Sequence, residues 1–158
     1  MVAAMSTGSD CPRDACGVVG VYSRKENVAQ VAFFGLYALQ HRGQESAGIA
    51  TSDGESIRVQ TVMGLVGQAF QEEDLERPPG HIAVGHTRYS TTGSNKLSNA
   101  QPIRSKNSST EVALAHNGNV INAVKLRQEL SEWGVSFSSS SDSEIIAHLI
   151  SHAPVASW

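Results

Sequence analysis

The chain has 158 residues, 12 basic and 15 acidic side chains and a net charge of −3, and it is long enough to bury a core as one domain. No basic block supplies the clustered Lys and Arg that binding to a nucleic-acid backbone needs, and no apolar run approaches the roughly eighteen residues of a membrane span. Cys11 and Cys16 are the only cysteines, five apart and with no zinc-type set of four ligands around them, and they suit reducing cytosol, where a free thiol stays reactive.

Residues 1–15 are small and polar, with no element-forming pattern and no basic-then-apolar layout of a secretory signal. They lead into Cys16-Gly17-Val18-Val19-Gly20-Val21-Tyr22, whose apolar alternation predicts a buried strand over 16–23. A cysteine at this join suggests the residue that becomes the N-terminus once a leader is removed. The plainer reading is a small buried hydrophobe.

Apolar residues at 28, 31, 32, 36 and 39 predict a helix from Val28 to Gln40, with Gly35 marking close packing and Gly43 a C-terminal cap or turn. Ser46–Thr51 reads as a small-residue strand, Ser52-Asp53-Gly54 as a tight turn, and Ile57–Val62 as the hairpin partner. An acidic segment over 71–76 gives a helical turn or two, broken by Pro78-Pro79-Gly80. Ile82–His86 is a strand running into Thr87-Arg88-Tyr89-Ser90-Thr91-Thr92-Gly93, and 94–109 reads as one long polar loop. A strand over 112–116 ends at Asn117-Gly118-Asn119. A helix then spans about 122–133, with Ala123, Leu126, Leu130 and Trp133 on one side. Ser141-Asp142-Ser143-Glu144 has capping-box spacing and starts a last helix.

Helices alternating with hairpin-like strands indicate a mixed α/β or α+β sheet domain, and the spacing of Gly17 and Gly20 is not that of a dinucleotide-binding fingerprint. The chain stops without a final strand and reads as truncated. Its polar residues beside glycines cluster at element ends, where sites are commonly built: Cys16, Arg42, His86, Arg88, Asn117 and Asp142. A freed α-amine on Cys16 would serve as its own base. The Asn117 side chain and the Gly118 N–H suit an oxyanion, Arg88 an α-carboxylate and Asp142 an α-ammonium. Each has a bland counterpart: a type I′ turn for Asn117-Gly118, an N-cap for Asp142, an ion pair for Arg88. His86 and His116 make only a weak metal pair.

Four stretches in this order, Cys16–Gly20, Leu39-Gln40-His41-Arg42-Gly43-Gln44-Glu45-Ser46-Ala47-Gly48-Ile49, Gly85–Thr91 and His116-Asn117-Gly118, with the following Ser141–Glu144, resemble the glutaminase domain of the amidophosphoribosyltransferase family. These are class II, or N-terminal-nucleophile, glutamine amidotransferases, and the resemblance covers about residues 16–152. It implies a four-layer α-β-β-α sandwich within the α+β class, a leader over 1–15 and a partial amidotransferase domain over 16–158. It implies Cys16 as nucleophile after autocatalytic removal of the leader, Asn117 and Gly118 as the oxyanion hole, and Arg88 and Asp142 as glutamine-binding residues. Arg42 falls in a loop the family uses near the site, for gating.

The implied reaction is hydrolysis of L-glutamine through a Cys16 thioester. The ammonia would serve synthesis of 5-phosphoribosylamine from phosphoribosyl pyrophosphate, for purines, on a phosphoribosyltransferase domain that this chain lacks. A cytoplasmic homo-oligomer is implied at full length, with no nucleic-acid or membrane partner. Mg2+ and an iron–sulfur cluster belong to the full-length enzyme and have no ligands assigned here. The competing expectations are a class II glutaminase feeding another acceptor, which the His41-Arg42-Gly43-Gln44 form argues against, and a catalytically silent fragment.

Overall fold

A computed structural model describes residues 16–76, 80–89 and 96–153. The leader with Cys11, the Pro78-Pro79 break and the stretch over 90–95 lie outside the described residues. Among these residues six strands, β1 (Gly17–Tyr22), β2 (Ser46–Ser52), β3 (Ile57–Met63), β4 (Ile82–Arg88), β5 (Ile103–Lys106) and β6 (Glu111–Leu114), form two antiparallel sheets. The first has the order β1-β4-β2-β3 and the second pairs β5 with β6. Among the described residues there are also five α-helices: α1 (Val28–Ala38), α2 (Val66–Ala69), α3 (Glu72–Glu76), α4 (Ala123–Glu132) and α5 (Asp142–His152). Helix α1 packs on the first sheet, α5 on β5 and β6, and α4 on α5, giving the expected α-β-β-α layers.

Helix α1 begins where Asn27 accepts hydrogen bonds from the Ala29 and Gln30 amides, at 3.1 and 3.3 Å. Its inner face, Val28, Ala29, Ala32 and Leu36, is buried. Two glycines admit the helix closely: Gly35 lies over Val19, and Leu36 sits on Gly85 of β4. Burying Leu36 alone is worth about 2 kcal/mol. Alternation along the strands places Ala47, Ile49 and Ala83 in this core with Val66 and Phe70.

The alternate residues, among them Gly48 and His86, a directly opposed pair, turn toward the second sheet. A Cβ on Gly48 would stand 2.2 Å from the Gln101 carbonyl oxygen, so only glycine lets the segment leading into β5 approach β2 this closely. Six consecutive residues of β2, Ser46–Thr51, are buried, as expected of a strand covered on both faces.

Several expectations change. The polar loop predicted over 94–109 contains a 3-10 turn at Leu97–Asn99 and strand β5. This strand was hidden because Ser105 is buried through hydrogen bonds to Ser151 Oγ (2.8 Å) and His148 Nδ1 (3.1 Å), not through apolarity. Strand β6 ends at Leu114, so His116 belongs to the following loop. Trp133 is the C-cap of α4 and 73% exposed, off the buried side that Leu130 occupies. Gly43 is not a left-handed cap: it is extended at φ −156°, and a Cβ there would meet the Thr87 and Arg88 backbone at 2.8 Å. The predicted capping box is half formed. Ser141 Oγ accepts the Ser143 amide, but the buried Glu144 carboxylate takes the amides and hydroxyls of Ser138 and Ser139 instead of the Ser141 amide.

His86 is fully buried, and neither ring nitrogen finds a hydrogen-bond partner of good geometry among the described residues. Burial pushes its pKa down from 6.5 to about 4; the His116 backbone opposes the fall, and the charges of Arg88 and His116 add to it. Because the folded value is depressed, the stability from neutral His86 is complete above pH 6.5 and is lost as pH falls toward 4. Urea midpoints measured between those limits should therefore drop more steeply for the native protein than for His86→Gln; parallel slopes would mean that His86 titrates alike folded and unfolded. Gly48→Ala should destabilise by about 3 kcal/mol at neutral pH, since the new methyl meets backbone that cannot swing aside. An unchanged urea midpoint would contradict the close sheet contact.

Candidate active site

Cys16 stands half-buried one residue before β1. The register that pairs Gly17 with Thr87 carries it to the end of β4, where its Sγ lies 3.5 Å from both the amide nitrogen and the carbonyl oxygen of Tyr89. The peptide that follows is held at both ends. Thr87 Oγ1 accepts the Gly17 N–H at 3.2 Å, while the Cys16 carbonyl accepts from Asn117 Nδ2 at 3.0 Å and from Arg42 Nε at 3.4 Å. Gly17 makes this possible, because a Cβ there would stand 2.7 Å from Thr87 Oγ1. Arg42 reaches Cys16 from the 3-10 turn Gln40–Arg42 that ends the α1 segment, and Gly43 lets that turn lie against the end of β4.

Arg88 is the last residue of β4, and its buried guanidinium pairs with Glu45 at 3.5 Å. The Glu45 amide donates to the Arg88 carbonyl at 3.1 Å, so backbone and side chain join the two segments together. The ion-pair reading of Arg88 is thus realised.

Asn117 and Gly118 lie in the exposed loop between β6 and α4. The loop is not the type I′ turn that Asn-Gly can form: neither residue has the positive φ such a turn requires. Instead it is tethered by the His116 amide to Gln101 Oε1 (2.7 Å), by Asn117 to Cys16, and by the Val120 amide to Asp142 Oδ2 (2.7 Å). Asp142 is not the N-cap of α5, a position that Ser141 takes; its carboxylate points across to the loop.

The fold therefore brings Cys16, Arg42 and Asn117 into direct contact, sets Gly118 beside them, and reaches Arg88 through Tyr89 and Asp142 through Val120. Sequence reasoning overlooked Thr87, Tyr89, Glu45 and Gln101. The first three sit inside stretches already singled out, but their contacts depend on strand register and turn packing. Gln101 lay in a segment read as featureless loop. The weak metal pair dissolves: His86 is sealed between the sheets, and among the described residues no three His, Cys, Asp or Glu side chains converge to hold a metal.

The family described as a glutamine amidotransferase domain matches residues 73–155. The chain is 53% identical over 144 residues to an amidophosphoribosyltransferase of Synechococcus elongatus, covering 91% of this chain and 29% of that protein. It is 50% identical over 141 residues to one of Methanothermobacter thermautotrophicus, covering 88% and 30%. Among solved structures, a glutamine phosphoribosylpyrophosphate amidotransferase from B. subtilis superposes with a TM-score of 0.77 at 40% identity, over 89% of this chain and 30% of that one. The chain thus spans about three tenths of the length of these relatives and shares their α+β sandwich. With a matched stretch that includes Arg88, Asn117, Gly118 and Asp142, the chain belongs to the glutamine amidotransferase domain family.

Proposed function

We propose that this chain is the glutamine-hydrolysing part of an amidophosphoribosyltransferase. The observation that carries the reading is the 3.0 Å hydrogen bond from Asn117 Nδ2 to the Cys16 carbonyl. It joins two segments 101 residues apart and sets an amide donor beside a cysteine at the head of the first strand. The bond is made to the backbone of Cys16 and leaves its thiol free to react.

In the proposed reaction residues 1–15 are removed, and the freed α-amine of Cys16 takes the thiol proton. Sγ attacks the carboxamide carbon of L-glutamine, the carbonyl π electrons move onto oxygen, and an oxyanion forms. Asn117 has two amide hydrogens: one stays on the Cys16 carbonyl while the other meets the oxyanion, with the Gly118 N–H as second donor. As the tetrahedral centre collapses, the Cys16 α-ammonium gives its proton to the amide nitrogen, the C–N bond breaks and the nitrogen departs as ammonia. Water then attacks the γ-glutamyl thioester, releasing glutamate and the thiol.

Asp142 accepts the Val120 amide at Oδ2, and the lone pairs this bond leaves give its carboxylate acceptor capacity for the glutamine α-ammonium. Arg88 receives the α-carboxylate and shares its fork with Glu45. Arg42 holds the Cys16 carbonyl, a role in orienting the nucleophile that sits beside the expected one in gating.

Ammonia would pass to phosphoribosyl pyrophosphate on further chain of the kind the longer relatives possess, in a homo-oligomeric protein serving purine synthesis. Mg2+ or an iron–sulfur cluster would belong to that further chain. A cytosolic setting is supported by the free Cys16 thiol, and no described helix is long and apolar enough to cross a membrane.

Ammonia release from L-glutamine by the purified chain tests the reading. Cys16→Ala should abolish it, and Asn117→Ala should lower kcat by about a hundredfold while KM moves far less, because the oxyanion exists only in the transition state. Glutamine hydrolysis that survives Cys16→Ala would overturn the proposal.

A further inference from the structure

The loop bearing Asn117 and Gly118 is exposed at its tip, yet its root is built with care. The His116 amide is anchored on Gln101 Oε1 at 2.7 Å. Nδ1 of the His116 ring shares a 3.2 Å hydrogen bond with Ser143 Oγ, a hydroxyl 1% exposed in the first turn of α5. The other edge of the ring lies beneath Gly118: a Cβ on that glycine would stand 2.6 Å from Nε2. One imidazole thus touches the helix that carries Asp142 with one nitrogen and supports the oxyanion glycine with the other.

We propose that His116 and Ser143 form a brace that fixes the height and tilt of the oxyanion loop relative to the N-terminus of α5. The inference rests on the glutaminase reading given above. His116 is a positioning residue, without contact to the reacting atoms: its ring sets where the Gly118 N–H points, and Ser143 sets the ring. A second tie, the Val120 amide on Asp142, runs in parallel and holds the ammonium-binding carboxylate independently. Losing the brace should therefore disturb the oxyanion donors while leaving glutamine docked. In kinetic terms kcat falls and KM stays, because the donors act on charge present only in the transition state. The substitution of alanine at Gly118 would collide with the ring, which explains why this loop position is glycine although its φ is not left-handed.

The test is a double-mutant cycle in the full chain. Ser143→Ala and His116→Phe, the latter keeping ring volume beneath Gly118 but not the hydrogen bond, should each lower kcat by about tenfold with KM within about threefold. The double variant should be no worse than the poorer single within about threefold, because both remove one interaction. Alkylation of Cys16 by iodoacetamide, which develops no oxyanion, should keep its rate within about twofold in every variant. An undiminished kcat, losses confined to KM, or losses that multiply to about a hundredfold would overturn the brace. Should Ser143→Ala fail to fold, His116→Asn, whose amide reaches the Nδ1 position, is compared with His116→Leu: recovery of kcat in the first alone supports the brace, and equal loss overturns it. Glutamine hydrolysis that persists in Cys16→Ala would instead sink the underlying glutaminase reading, so the two failures are separable.

Discussion

The peptide group joining Cys16 to Gly17 is gripped at both of its polar atoms, by Thr87 at the nitrogen and by Asn117 and Arg42 at the oxygen. Three separate segments supply these groups: the end of β4, the turn after α1 and the loop after β6. Fixing a peptide plane at both ends removes the rotational freedom of the residue before it. In the proposed reaction the nucleophile also supplies its own base and needs that constraint, because thiol and amine hang from a single α-carbon and must both aim at one substrate.

Much of the fold serves to bring those three segments together. β4 is central in its sheet, pairing with β1 and β2 at once, so Thr87 faces Gly17 on one side and Ala47 on the other. Glycines remove bulk where backbone must meet backbone: Gly43 lets the Arg42 turn lie on the end of β4, and Gly48 lets the Gln101 segment descend onto β2. Gln101 then holds the root of the Asn117 loop through the His116 amide. A methyl group on Gly48 would therefore be felt at the Asn117 loop.

The first strand, α1, the β2–β3 hairpin and the start of α5 were legible in the sequence because apolar period, turn residues and capping serine all act locally. Strand β5 was not legible, because its inward Ser105 is satisfied by Ser151 and His148 on a helix more than forty residues away. Likewise Cys16, Arg42, Arg88, Asn117 and Asp142 stood out as polar residues beside element ends, but chemistry alone left Cys16, Arg88, Asn117-Gly118 and Asp142 with structural alternatives. The structure distinguishes some of these: Asn117-Gly118 is not a tight hairpin turn, Asp142 is not a cap, and Arg88 does carry an ion pair, with Glu45. What no pattern in the sequence could reveal is the second row of support, Thr87, Tyr89, Gln101 and Ser143, whose parts depend on register and layer packing.

The central claim is that Cys16 becomes a free N-terminal nucleophile whose surroundings are built for it. Intact-mass analysis after incubation with a glutamine-analogue electrophile tests this most directly. The account predicts a chain that has lost residues 1–15 and carries one adduct, mapped by peptide sequencing to Cys16. A chain that keeps its leader and is labelled at Cys11, or that takes no label at all, would contradict it.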